Sequence, residues 1–173
     1  VLPHFEKPPP NWILRGRFFD RPSPPTGTRL QWKQTRTGNV LLRRKIFDDP
    51  ENRFRPEYGR GGEDSDFFRR MITKGMHFVW CAEATVHETV PVERCCRTYL
   101  LKRALLRGRI PYNQGWPVVT SLVAVPAYAL VLPLLLFFGQ HVFMRYLIKE
   151  CDHLGRVLAF LGVDIIREWY VTR

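Results

Sequence analysis

The chain has 173 residues, 45% hydrophobic and 25% charged, the bulk composition of an ordinary globular protein with a real core. Its 27 basic and 16 acidic residues give a net charge of +11, which favours an anionic partner: nucleic acid, lipid headgroups and a diphosphate all satisfy charge alone. Cys81, Cys95, Cys96 and Cys151 form no C-x-x-C pair, which argues against a zinc framework and for reduced, partly buried thiols. No Asp, Glu, Lys or Arg occurs between Arg109 and Arg145, which divides the chain into a soluble part and a membrane part.

Residues 1–28 hold Pro8-Pro9-Pro10, Pro22, Pro24 and Pro25. Fixed φ angles and missing N–H donors predict extended or looping chain, and Trp12, Ile13, Leu14, Phe18 and Phe19 predict that it packs on a body. This opening has no signal-like or transit-like segment, and it suggests chain missing upstream. From Leu30 to Phe47 a moderate β signal is punctuated by Thr37-Gly38-Asn39, after which Val40-Leu41-Leu42 reads as a short buried strand. Residues 48–62 read as loop, ending in a Gly59-Arg60-Gly61-Gly62 hinge.

A helix is expected over about 64–74. Phe67, Phe68, Met71 and Ile72 form one apolar stripe, with Arg69, Arg70, Thr73 and Lys74 on the other side and Gly75 able to turn left-handed beyond it. Met76 to Val86 reads as a strand. Residues 92–107 read as a second, basic helix carrying Arg94, Arg97, Lys102, Arg103 and Arg107. Val118 to Phe138 is apolar and long enough to span a bilayer. Pro126 and Pro133 leave two arrangements open, one kinked crossing or a re-entrant hairpin. Residues 142–162 are amphipathic and read as an interfacial helix.

The informative segment is Gly61-Gly62-Glu63-Asp64-Ser65-Asp66-Phe67-Phe68. Helical periodicity carries Asp64 to the N-terminal end of the apolar stripe, where it either caps the helix or faces a cleft. The positive end of a helix favours negative charge, and an ionised carboxylate there accepts a proton from an attacking hydroxyl.

Gly-Gly-Glu-Asp, a helix with Phe-Phe-Arg-Arg, Gly75, a strand and Val86-His87 together resemble the acceptor half of family 2 glycosyltransferases, over about residues 30–110. The resemblance implies an α/β fold, a partial GT-A-like nucleotide-diphospho-sugar transferase domain followed by a membrane-associated helical segment. It divides the chain into a catalytic part at 1–110, a transmembrane or re-entrant segment at 111–147 and an amphipathic tail at 148–173. It implies Asp64 as general base beside Glu63, and Thr37, Gly38 and Asn39 at the acceptor site. It further implies His87 as a ligand for a divalent cation, Mn²⁺ or Mg²⁺, although a histidine at a strand end also commonly bonds only backbone.

The basic helix has two readings. Its cations flank an apolar span and bind anionic lipid, or Arg97 and Arg103 neutralise a leaving diphosphate. Arg94-Cys-Cys-Arg97-Thr98 resembles the Gln/Arg-x-x-Arg-Trp motif of processive synthases but has Thr where Trp would stand, which favours addition of one or a few sugars. No Asp-x-Asp precedes Glu63; Asp48-Asp49-Pro50 is the nearest acidic pair, in a loop. The expectation is therefore a glycosyltransferase portion lacking the nucleotide-binding half. It would use a nucleotide-sugar donor and a glycan or lipid-linked acceptor, at the cell membrane with its catalytic part cytoplasmic. The alternative is a non-catalytic membrane-anchored module that binds a lipid-linked glycan or a partner enzyme. Nucleic acid is not expected, because no recognised binding motif accompanies the charge.

Overall fold

The computed structural model describes residues 1–58, 61–113 and 117–163. The described chain is a mixed, mostly helical structure with one small sheet: β1 (Leu2–Phe5), α1 (Asn11–Gly16), α2 (Glu63–Thr73), β2 (His87–Val90), α3 (Arg97–Asn113), α4 (Val119–Leu135) and α5 (Gln140–Phe160). β1 and β2 form a parallel pair, with Leu2 N–H donating to Val86 O and Glu6 N–H to Val90 O. The chain divides into two compact units, Val1–Pro3 with Arg21–Glu88, and His4–Asp20 with Thr89–Arg173.

The first unit is built on α2. Phe67, Phe68 and Met71 are fully buried, packed by Trp32, Leu42, Ile46, Phe47, Met76 and Phe78. The Phe67 ring stacks on Phe54 at 4.4 Å, and Phe68 meets Phe78 edge-on at 5.0 Å. Each such buried side chain stabilises the fold by about 1.5–3 kcal/mol. The helix opens after Gly62, at φ +97°, and ends at Lys74 before Gly75, at φ +86°. Both glycines have the positive φ at which a Cβ is strained.

Three expectations for this unit are corrected. Val40-Leu41-Leu42 is not a buried strand: Leu41 is 98% exposed, and of the three residues only Leu42 packs on the core. The chain there runs between short 3-10 turns at Thr37–Asn39 and Arg44–Asp48. Leu30 to Gln34 does not continue as a strand either. Gln34 Oε1 accepts the Gln31 N–H, and Thr35 Oγ1 donates to Trp32 O, closing a turn at Trp32–Gln34. Met76 to Val86 pairs only briefly, around an antiparallel bridge between Arg29 and Val79. Thr26 Oγ1 then accepts the Ala82 N–H and the ladder stops, so that the regular strand begins at His87 instead.

The polar side of α2 carries paired charge. Asp66 is 8% exposed and accepts from Arg70 Nε at 2.8 Å. Arg70 also donates to the carbonyls of Glu51 and Arg53. Lys74 donates to Asp49 and Asn52. These two cations tie the 49–53 loop to the helix. The Lys74 ammonium and the Glu51 amide hold the Asp49 carboxyl below its usual range, the amide contributing most.

In the second unit the Pro-rich opening folds more than expected, as a strand and a short helix. Ile13 of α1 is buried with Val90 and Cys95, and Phe5, Trp12, Phe18 and Phe19 pack around them. The basic helix is shifted: Val92–Arg94 is a 3-10 turn, and α3 starts at Arg97 and runs to Asn113. α3 and α5 cross antiparallel at two glycines. A Cβ on Gly108 would collide with the main chain of Asp152, and one on Gly155 with that of Leu105. Beside this crossing Arg107 grips Asp152 with two nitrogens, at 2.8 and 2.6 Å.

α4 is a single helix with Pro126 and Pro133 inside it, continued by a 3-10 turn at Leu136–Phe138. It gives one run of 20 residues, Val119–Phe138, long and apolar enough to cross a membrane. Gly139, at φ +102°, turns the chain into α5.

Candidate functional site

The Glu63–Asp64 pair begins α2. Asp64 does not cap the helix: Gly62 stands at the cap, and no side chain bonds there. Thr37 holds Asp64 instead. Its hydroxyl donates to Oδ1 at 2.7 Å and its amide to Oδ2 at 3.2 Å. The turn at Thr37–Asn39 presents both donors on one side, and the adjacent residues Arg36 and Val40 are extended. Asn39 fixes the far end of that turn, its Nδ2 donating to Ala84 O at 2.6 Å. Gly38, between them, has open space where a Cβ would stand.

Thr37, Gly38, Asn39, Glu63 and Asp64 therefore belong to one unit, and hydrogen bonds couple Asp64 to the 37–39 turn. A carboxylate has about four lone-pair positions. Thr37 occupies two on Asp64, which fixes the plane of the group and leaves capacity for a further donor. Glu63 is half-buried, and its Oε2 is enclosed without a hydrogen-bond partner. The indole Nε1 of Trp80, in the same unit, is likewise enclosed and unpartnered. Trp80 was not among the residues expected from sequence, because a Trp in a strand-like run reads as core.

His87 is exposed, at the first position of β2. Among the described residues no three His, Cys, Asp or Glu side chains come together at metal-binding distance. These residues do not by themselves fit a divalent-cation site. Arg97 and Arg103 lie in the other unit, both exposed on α3. The Gln140 side-chain amide faces the Arg97 guanidinium. The four cysteines are free; Cys95 is buried and Cys151 half-buried, whereas Cys81 and Cys96 are exposed and not partly buried as expected. Burial, with Glu150 and Asp152 nearby, pushes the Cys151 thiol up to about 11. Gly59 and Arg60 of the expected hinge lie outside the described residues.

No family model matches the chain, and no solved structure matches it. A curated protein that does match is succinoglycan biosynthesis protein ExoM of Rhizobium meliloti, 27% identical over 180 residues. The match takes in 98% of this chain and 57% of the relative, so the chain spans a little over half of that protein's length. The chain is thus similar, along nearly all of itself, to a protein of glycan biosynthesis.

Proposed function

We propose that this chain is the acceptor-side portion of a family 2-like glycosyltransferase of exopolysaccharide synthesis, with a GT-A type catalytic domain and Asp64 as its general base. The observation that carries this reading is the double grip of Thr37 on Asp64. It joins the two segments, Thr37-Gly38-Asn39 and Glu63-Asp64, that the family resemblance assigns to one site. Similarity to a succinoglycan biosynthesis protein supports the same class.

In this reading an acceptor hydroxyl donates its proton to Asp64 as its oxygen attacks the anomeric carbon. The bond from that carbon to the nucleoside diphosphate breaks, and the configuration inverts. Thr37 keeps the base oriented. Glu63 closes the site beside Asp64, and the 37–39 turn binds the acceptor, a glycan or a lipid-linked glycan. Arg97 and Arg103 are the cations assigned to the leaving diphosphate. Thr98, in place of a Trp, fits transfer of one or a few sugars. The apolar run Val119–Phe138 associates with the membrane, and the catalytic part faces the cytoplasm, where nucleotide-sugars are made.

The test is Asp64→Asn in the full-length protein, assayed for transfer from nucleotide-sugar donors to a membrane extract containing the acceptor. Turnover should fall by a factor on the order of 10²–10⁴ with the fold intact. Unchanged turnover would remove Asp64 from the chemistry; no transfer by the unsubstituted protein would favour a non-catalytic, membrane-anchored binding module.

A further inference from the structure

α4 has two opposite faces, and both run its whole length. One is bound to α5. Ser121 is fully buried, and its Oγ lies 3.1 Å from His153 Nδ1. The Tyr128 ring stacks on His153 at 5.7 Å and lies 6.2 Å from the Tyr146 ring. Leu132 continues this face and is buried. The other face is Val119, Val123, Leu130, Leu134 and Phe137, spaced so that helical periodicity stacks them in one stripe. All five are exposed, Leu130 to 79% and Phe137 to 88%.

The pairing of Ser121 with His153 and of Tyr128 with Tyr146 sets α5 antiparallel along α4. The stretch of α5 beside Ser121–Tyr128 therefore includes Lys149, Glu150 and Asp152. α5 is in turn fixed to α3 by the Gly108 and Gly155 crossing and by Arg107 on Asp152. It is also fixed to α1, where Arg145 donates to Gly16 O at 3.2 Å. A helix of 20 residues is about 30 Å long, enough to span the hydrocarbon. Standing upright, however, α4 would draw these charged residues of α5 to bilayer depth, where they are costly, or it would have to leave α5 and break the Ser121–His153 contact. Neither conflict arises if α4 lies flat.

We infer that α4 is a monotopic anchor that lies in the plane of one anionic lipid leaflet, seated on its Val119/Val123/Leu130/Leu134/Phe137 stripe with α5 and α3 behind it. The inference rests on the membrane association proposed above and replaces both the crossing and the re-entrant hairpin. Lipid is the occupant that suits this face: the stripe is continuous and apolar. The helices around it carry eight basic residues against two acidic ones between Arg97 and Phe160, which draws them to anionic headgroups.

The test measures depth. Val123→Cys, Leu130→Cys and Phe137→Cys, each in a full-length protein with its native cysteines changed to Ser, are labelled with a small fluorophore. They are then bound to vesicles of phosphatidylglycerol and phosphatidylcholine that carry spin labels at defined acyl depths. Equal, shallow depths at all three positions are expected. A probe at 130 near the bilayer centre with 123 and 137 nearer opposite faces means a crossing and overturns the inference. A probe at 130 deeper than 123 and 137, with those two at the same face, means a hairpin, and depth increasing steadily from 123 to 137 means insertion by one end; either also overturns it. No quenching at any position, with the protein in the supernatant, overturns the membrane reading itself. Trypsin treatment of the unsubstituted protein in sealed inverted vesicles guards against misfolded variants. Cleavage on both flanks of α4, after Arg109 and after Arg156, is expected from the same face; cleavage of the two flanks from opposite faces overturns the inference.

Discussion

Thr37 and Asp64, 27 residues apart, meet through two hydrogen bonds that engage both carboxylate oxygens, one from the Thr37 hydroxyl and one from its amide. A group held this way has lost the rotation that would blur its aim at a substrate. Thr37 is thus a positioning residue for Asp64. Thr37→Val keeps the amide donor and loses the hydroxyl. A hydrogen bond to a charged group is worth about 1.5–3 kcal/mol, so kcat of the full-length enzyme should fall roughly tenfold to a hundredfold, with little change in KM. Thr37→Ser, which restores the hydroxyl, should recover most of the loss. Equal activity in Val and Ser variants would separate Thr37 from the function of Asp64.

Asp66 and Arg70 make a second, structural pair one turn further along the same helix. Asp66 is nearly buried, with Arg70 at 2.8 Å and Arg55 at 3.7 Å. Arg70→Met leaves that carboxylate with only the more distant cation and frees the carbonyls of Glu51 and Arg53. Breaking a buried pair from one side costs about 3–5 kcal/mol. Urea unfolding followed by Trp fluorescence should report a loss of that order. A midpoint within a few tenths of a molar of the parent would mean that the loop is anchored some other way.

Much of this was legible in the sequence, for identifiable reasons. α2 was readable because Phe67, Phe68 and Met71 repeat at helical spacing and Gly75 follows them. The closeness of Thr37 to Glu63-Asp64 was readable only through the family resemblance, since nothing local joins residues 27 apart. The failures share a cause. Leu30 to Gln34 and Met76 to Val86 have strand-like patterns, but side-chain hydrogen bonds from Gln34, Thr35 and Thr26 satisfy backbone groups or close turns that a ladder would otherwise use. The partners of Arg70 and Lys74 were not readable because, Asp66 apart, they lie on a loop 49–53 whose fold no periodicity reveals. α4 was readable as apolar, but the charges of α5 lying beside it were not.

The close passage of α3 and α5 predicts a specific intolerance. Gly155→Ala gains about 1 kcal/mol of helix propensity, yet its methyl meets the main chain of Leu105. Main chain in two packed helices yields less readily than a side-chain tip, and overpacking costs about 1–3 kcal/mol. The variant should melt several degrees below the parent in mild detergent. Gly38→Ala, which meets open space, should leave the melting temperature unchanged. A Gly155→Ala protein as stable as the parent would mean that the helices can separate at that point without loss.

His153 gives the α4–α5 contact a pH dependence. Its imidazole sits between Ser121 Oγ and the Tyr128 ring. Burial pushes its pKa below the ordinary value and nearby Arg156 pushes in the same direction, with Asp152 opposing. The folded protein therefore prefers the neutral ring more strongly than the unfolded chain does. Above the unfolded value of about 6.5 both states are neutral and the contact is fully present. As pH falls through 6.5 the unfolded chain takes up the proton first, and stability declines until the folded ring titrates as well. Glu150, whose carboxyl burial raises, runs the other way, gaining stability at lower pH. The comparison is therefore between parent and His153→Gln, which keeps Glu150 in both. Melting temperatures in mild detergent, taken from pH 7.5 down to 5, should fall more steeply in the parent than in the Gln variant. Parallel curves would show that His153 keeps the same proton affinity in both states, and the neutral, stacked arrangement against Tyr128 would then be wrong.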